Sequence, residues 1–143
     1  MNYLNDFFIR LNHTVKTDPR FKEEAYLFVM ASIGRALRGL DKPRHIAGSE
    51  LLAAIREEAE DQFGPMASPV LHHWGIKNSL DFGVIVFNMV RGGLLSKADN
   101  DQPEDFKDSV FFENLFNQDS GYQLSEDQGV LKNALKKQSI MEQ

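Results

Sequence analysis

The stretch from Asn78 to Gly93, NSLDFGVIVFNMVRGG, constrains the fold more than any other part of the chain. At 100° per residue, Leu80, Phe82, Ile85, Val86, Phe87, Met89 and Val90, with the glycines, occupy most of the helical circle. Asp81, Val84, Asn88 and Arg91 gather in one arc of about 100°. A helix that is apolar on most sides must be enclosed by other elements. Asn78 or Ser79 suits its cap, Asp81 the positive end of the helix dipole and Arg91 the negative end. The segment is therefore expected to be core, with Asp81, Val84, Asn88 and Arg91 as the arc left to solvent or to another chain.

Other helices must supply the enclosure. Residues 2–15 place Tyr3, Leu4, Phe7, Phe8 and Leu11 on one helical face. In TDPRFKEEAYLFVMASIGRALRGL, Asp18 can cap and Pro19 suits the first helical position, where a missing N–H costs nothing. Tyr26, Met30, Ile33, Leu37 and Leu40, widened by Val29, form the stripe of that long helix, which Gly39 and Pro43 end. A third helix, GSELLAAIREEAEDQFGP, has Ser49 as cap, Leu52, Ile55, Ala59 and Phe63 facing inward, and Gly64–Pro65 as its stop. Its acids Glu57, Glu58, Glu60 and Asp61 read as a solvated face. SPVLHHWG is a short helix capped by Ser68, opened by Pro69 and closed by Gly75.

The order of a short helix, a turn, a longer helix and the segments LLSK and SVFF around a turn-rich ADNDQPEDFKD resembles a winged helix-turn-helix with a small hairpin. FFENLF fits one helical turn. The predicted fold class is mainly α: a single-domain helical bundle over residues 1–116, with two N-terminal helices packed on a tri-helical, winged-helix-like unit whose last helix is central, and a small C-terminal β-hairpin. Residues 117–143 read as a polar, mobile tail with a weak apolar set at Val130, Leu131 and Leu135.

Charge bears on the choice of partner. The net value is −5, divided as +3 over residues 1–47, −3 over 48–96 and −5 over 97–143. Nucleic-acid affinity rests on neutralising phosphates, so the acidic two-thirds repels the partner that a recognition helix at Asn78–Gly93 would need. That helix also offers only an acid, an amide and one arginine for base reading. Nucleic acid is left with the basic N-terminal third.

Catalytic and metal chemistry finds little support. With no cysteine, thiolate nucleophiles and sulfur-based zinc sites are excluded, and a reducing compartment is compatible. His72 and His73, adjacent on a helix, point roughly 100° apart and do not suit one metal. DNDQPED lacks the glycine and ligand order of a calcium loop, and no phosphate-cradling loop, GxSxG or HExxH occurs. In KPRHIAGSE, Arg44 and His45 stand ahead of a helix N-terminus that can hold an anion; the favoured reading pairs Arg44 with a neighbouring carboxylate. No cofactor or metal is called for. The first 20 residues lack a signal-peptide pattern, and no apolar run reaches the roughly 20 residues of a membrane span, so a cytoplasmic protein is expected.

The runs DPRFKEEAYLFV, RHIAGSELLAAIR, QFGPMASPVLHHWGI, DFGVIVFNMVRGGLLSK and DFKD, in this order over about residues 17–110, resemble a small family of uncharacterised bacterial proteins found mainly in planctomycetes and verrucomicrobia. The resemblance implies no activity and no site residues. The chain departs from it at Val84, where an acid is expected, and at Pro69. The functional expectation is a non-enzymatic protein-interaction or regulatory module, with Arg44, His45, Asp81, Val84, Asn88 and Arg91 as the candidate surface and another protein as partner. The alternative is a nucleic-acid-associated winged-helix relative acting through its basic N-terminal third. An enzyme would need a concave pocket with perturbed acids or histidines.

Overall fold

The computed structural model describes residues 3–96, 106–108, 111, 112 and 115. Five α-helices follow one another there: α1 (Tyr3–Thr17), α2 (Glu23–Arg38), α3 (Gly48–Phe63), α4 (Ala67–His73) and α5 (Leu80–Arg91), with a 3-10 turn, Gly64–Met66, joining α3 to α4. The protein is mainly helical, as its periodicity predicts, and among the described residues there is no strand. No helix among them is long and apolar enough to cross a membrane.

Helix α2 is the hub, packing on α1, α3 and α5. Its core face is rolled by roughly 80° from the expected stripe at 100° per residue: Ala25, Tyr26, Phe28, Val29 and Ser32 are buried, whereas Leu37 is 45% exposed. Two small residues lie on the face that the roll turns inward. Ala25 and Ser32 are small enough to be buried on the inner face, and Ser32 satisfies its hydroxyl by donating to Phe28 O at 3.0 Å. The helix also starts later than Asp18–Pro19 suggested. Asp18 instead ends α1, its N–H donating to Thr14 O at 3.1 Å, and its carboxylate accepts from Arg20 N at 3.3 Å in a local turn.

Helix α3 is bounded by Ala47 and not capped by Ser49; the Glu50 carboxylate accepts the Ala47 N–H at 2.9 Å. Its outer acids are only partly a solvated face. Arg35 of α2 donates to Glu58 at 3.0 Å, to Glu57 at 3.4 Å and to Asp61, which fastens α2 to α3 and raises the Arg35 pKa. Helix α4 begins at Ala67, so neither Ser68 nor Pro69 stands at its boundary.

Both α4 and α5 end in the same way. Gly75 adopts φ 99°, its N–H donates to His72 O at 3.0 Å, and Ile76 N donates to Leu71 O at 3.0 Å. Gly93 adopts φ 79°, with Gly93 N to Val90 O at 3.1 Å and Leu94 N to Met89 O at 2.8 Å. These paired bonds are the Schellman closure, which needs a left-handed residue and brings the apolar residues on either side together; Leu71 and Ile76 are both fully buried.

Within α5, Phe82, Ile85 and Met89 are completely buried, and the enclosure departs from the expected one. Helix α5 packs most closely on α2 and α1, while α3 packs on α2 and α4, and all of them share one hydrophobic core. Part of the cover of α5 comes from the chain beyond it. Phe106 lies over Gly83, Phe111 packs on Phe82 with ring centroids 5.3 Å apart, and Asp108 N donates to Ser79 Oγ at 2.8 Å. Among the described residues of the expected hairpin there is no strand: Leu94 and Leu95 lie in a bend, and Phe111 and Phe112 are helical, in keeping with one turn in FFENLF. Residues 97–105 and the tail proposed for 117–143 lie outside the described residues.

Candidate functional site

Helix α5 begins with a reciprocal cap. Asn78 Oδ1 accepts from Asp81 N at 3.2 Å, while the Asp81 carboxylate accepts from Asn78 N at 3.3 Å and from Lys77 N at 2.8 Å. Asp81 is thereby spent on the helix start. The solvent-facing row of α5 consists of Leu80, Phe87 and Arg91, with Val84 half-buried between them. These positions follow one another at i, i+4, i+7 and i+11, so the helix is rolled by roughly 60° from the expected polar arc at 100° per residue. Phe87 is 56% exposed, and the Arg91 guanidinium stands 5.3 Å from its ring centroid.

The roll takes Asn88 out of the predicted surface. It is 6% exposed, and its Nδ2 donates to Asp18 Oδ2 at 2.8 Å and to Tyr26 Oη at 3.1 Å. A buried amide must be satisfied, and the turn after α1 supplies the acceptor. Asp18 is also gripped by Arg20 through Nε at 2.8 Å and Nη2 at 2.7 Å. The Arg20 bonds hold the Asp18 carboxyl far below the usual carboxylate range against the opposing effect of burial, with Asn88 contributing further. Burial pushes the Tyr26 phenol up, partly countered by the bond from Asn88. One polar knot thus joins the α1–α2 turn, α2 and α5.

The knot forms the floor of a cleft of about 190 Å³ lined by His13, Thr14, Thr17, Asp18, Asn88, Arg91 and Gly92. Close approach of the two helices shapes it: a β-carbon on Gly92 would stand 2.2 Å from Thr14 Oγ1. Arg10 adds a tie by donating to Gly93 O at 3.2 Å while pairing with Asp6 at 2.9 Å.

Of the remaining candidates, Arg44 is held by Glu50, donating to both carboxylate oxygens at 2.9 and 2.7 Å and to His45 O at 2.9 Å. Those Arg44 bonds, with the Ala47 N–H, bring the Glu50 carboxyl down to about 2. His45 is exposed. His72, from the histidine pair, stacks on Phe112 with centroids 4.7 Å apart. The structure therefore divides the predicted surface: Arg44 and His45 precede α3, Asp81 caps α5, Asn88 is interior, and only Val84 and Arg91 share the outer row of α5.

Sequence reasoning did not single out Asp18, Arg20, Tyr26, His13 or Thr17 as parts of one site. The available signal was Asn88 itself, since an amide beside the fully buried Ile85 and Met89 demands a polar partner from elsewhere. The knot predicts an acid response. A carboxyl whose folded pKa is depressed stabilises the fold above its ordinary value of 3.8 and loses that contribution as pH falls towards the folded value. In circular-dichroism melts, Asp18→Asn should lower the midpoint at neutral pH and reduce the fall in midpoint between about pH 5 and pH 2. Equal falls in the two proteins would remove Asp18 from this role.

No family model, no curated protein and no solved structure matches the chain, so its function has to be argued from its own residues.

Proposed function

We propose that the chain is a non-enzymatic protein-interaction module that receives an apolar helix face of a partner protein on the outer turns of α1. The observation that carries this reading is a row of side chains that begins in the core and continues into solvent. Leu11 and Val15 pack in the body, while Phe8 and Leu4, one and two turns earlier in the same row, are 45% and 66% exposed. Tyr3, 78% exposed, flanks the row on one side, while Ile9, 59% exposed, lies on another face of the helix. Scattered apolar residues at a surface need no explanation, but contiguous ones favour a contact. Fully burying a side chain of this size contributes about 1.5–3 kcal/mol, so a few of them are enough for association.

The nucleic-acid alternative, a winged-helix relative working through residues 1–47, is weakened by ion pairing. Arg10 faces Asp6, Arg20 faces Asp18, Arg35 faces three acids of α3 and Arg44 faces Glu50. Those cations are already matched, and phosphate binding needs unmatched ones. A chain without cysteine suits a reducing, cytoplasmic setting, and the resemblance to uncharacterised bacterial proteins belongs to the same proposal.

The test uses the double variant Leu4→Ser/Phe8→Ser. Both residues lie outside the core, so the melting midpoint should stay within about 2 °C of the parent, as for surface changes generally. Proteins captured from the native host by the parent and still bound in high salt should be missing from the variant. Capture of the same set by both, or release of the set as salt rises, would sink the reading.

A further inference from the structure

We propose that the cleft between the C-terminal ends of α1 and α5 binds a small zwitterion of the α-amino-acid type, its carboxylate on Arg91 and its ammonium on the inner carbonyl of Asn88. This assignment is independent of docking on the outer turns of α1.

The orientation of Asn88 carries it. Asp18 is an acceptor only, so the amide edge that meets it must be the NH2. Both of its hydrogens are used, on Asp18 Oδ2 at 2.8 Å and Tyr26 Oη at 3.1 Å. Oδ1 is left pointing the other way and accepts no hydrogen bond among the described residues; Asn88, 6% exposed as a residue, lines the cleft, where this oxygen remains open to solvent or to a ligand. The two helices end at the cleft, and their carbonyl ends favour positive charge. That is a setting for an ammonium.

The rim asks for the opposite charge. The guanidinium of Arg91 makes no ion pair or hydrogen bond among the described residues, only its contact with the Phe87 ring. His13 stands across the same cleft with its imidazole equally unengaged there, and the Thr17 hydroxyl, which donates to His13 O at 2.9 Å, keeps its lone pairs. A simple anion would face the helix ends and the Asn88 carbonyl, and a simple cation would face Arg91; a molecule carrying both charges satisfies each. The space of about 190 Å³ equals about six waters at roughly 30 Å³ each, which suits a ligand of a few heavy atoms.

The experiment is an amide-shift NMR titration of the full chain with L-alanine, and separately with acetate and with methylammonium. L-alanine should give saturable shifts at Thr17, Asn88 and Gly92, with each half-ligand roughly tenfold weaker, the factor that one charged contact is worth. Arg91→Gln should weaken L-alanine by roughly tenfold, while Arg38→Gln, on α2 and outside the cleft, leaves it unchanged. Both arginines are exposed, so the two variants fold. Absence of saturable shifts up to the solubility of L-alanine, acetate binding as tightly as L-alanine, or indifference to Arg91→Gln would each overturn the assignment.

Discussion

Gly75→Ala should destabilise the protein by on the order of 3 kcal/mol, more than a surface change elsewhere. Two effects add. Gly75 holds φ 99°, a conformation that strains any residue bearing a β-carbon, and that β-carbon would lie 2.0 Å from Arg20 O. The carbonyl cannot withdraw cheaply, because Phe21 beyond it is buried and Lys22 N is bonded to Trp74 O at 3.0 Å. Gly64 supplies the control: its φ is 52°, yet nothing lies within 4 Å of a β-carbon there. Gly64 also has ψ −130°, a combination that residues with a β-carbon rarely adopt, so Gly64→Ala should show a conformational cost of about 1–3 kcal/mol without any collision. Urea denaturation of the two variants separates strain from collision, and equal midpoints would mean that the Arg20 contact is not rigid.

Asn88→Asp should cost about 3–5 kcal/mol at neutral pH, the range for a buried charge left without a partner. The change is nearly isosteric, but it removes both donors and sets a second carboxylate 2.8 Å from Asp18 Oδ2. The pair would then hold one proton more tightly than either carboxyl alone. The variant should consequently recover stability relative to the parent as pH is lowered from 7 towards about 4. Asn88→Ala, which loses the bonds without adding charge, should show no such recovery. A pH-independent gap between Asn88→Asp and the parent would mean that the Asp18 carboxylate does not set the environment at position 88.

The same knot shows where the sequence was legible. The five helices, the stops at Gly39, Gly64 and Gly75, and the buried run of Phe82, Ile85 and Met89 follow from apolar spacing and turn chemistry, which act within a few residues. The rotation of α2 and α5 about their own axes does not. It depends on what lies across the interface: small Ala25 and Ser32 on α2, Gly92 against Thr14, and Asp18 waiting for Asn88. Amphipathic reasoning assumed that an amide faces water, and a partner 70 residues away in sequence reversed that. For the same reason the expected arc is divided, with Val84 and Arg91 on the outer row and Asn88 inside. The arginine of KPRHIAGSE was legible because its carboxylate, Glu50, is only six residues away.

The first two turns of α1 carry one further consequence. Ahead of Leu11 the ties to the body include the packing of Phe7 and the Arg10 bond to Gly93 O, beside the local Asp6–Arg10 pair and the helix's own backbone bonds, while Tyr3, Leu4 and Ile9 stay exposed. Helices shorter than about 12 residues are marginal in water without tertiary support. The first turn, Tyr3 to Asp6, should therefore open more readily than the rest of the helix, and a molecule that seats there would hold it wound. Its occupancy would then register as slowed amide exchange at the amino end of α1, before any change in the global unfolding of the chain.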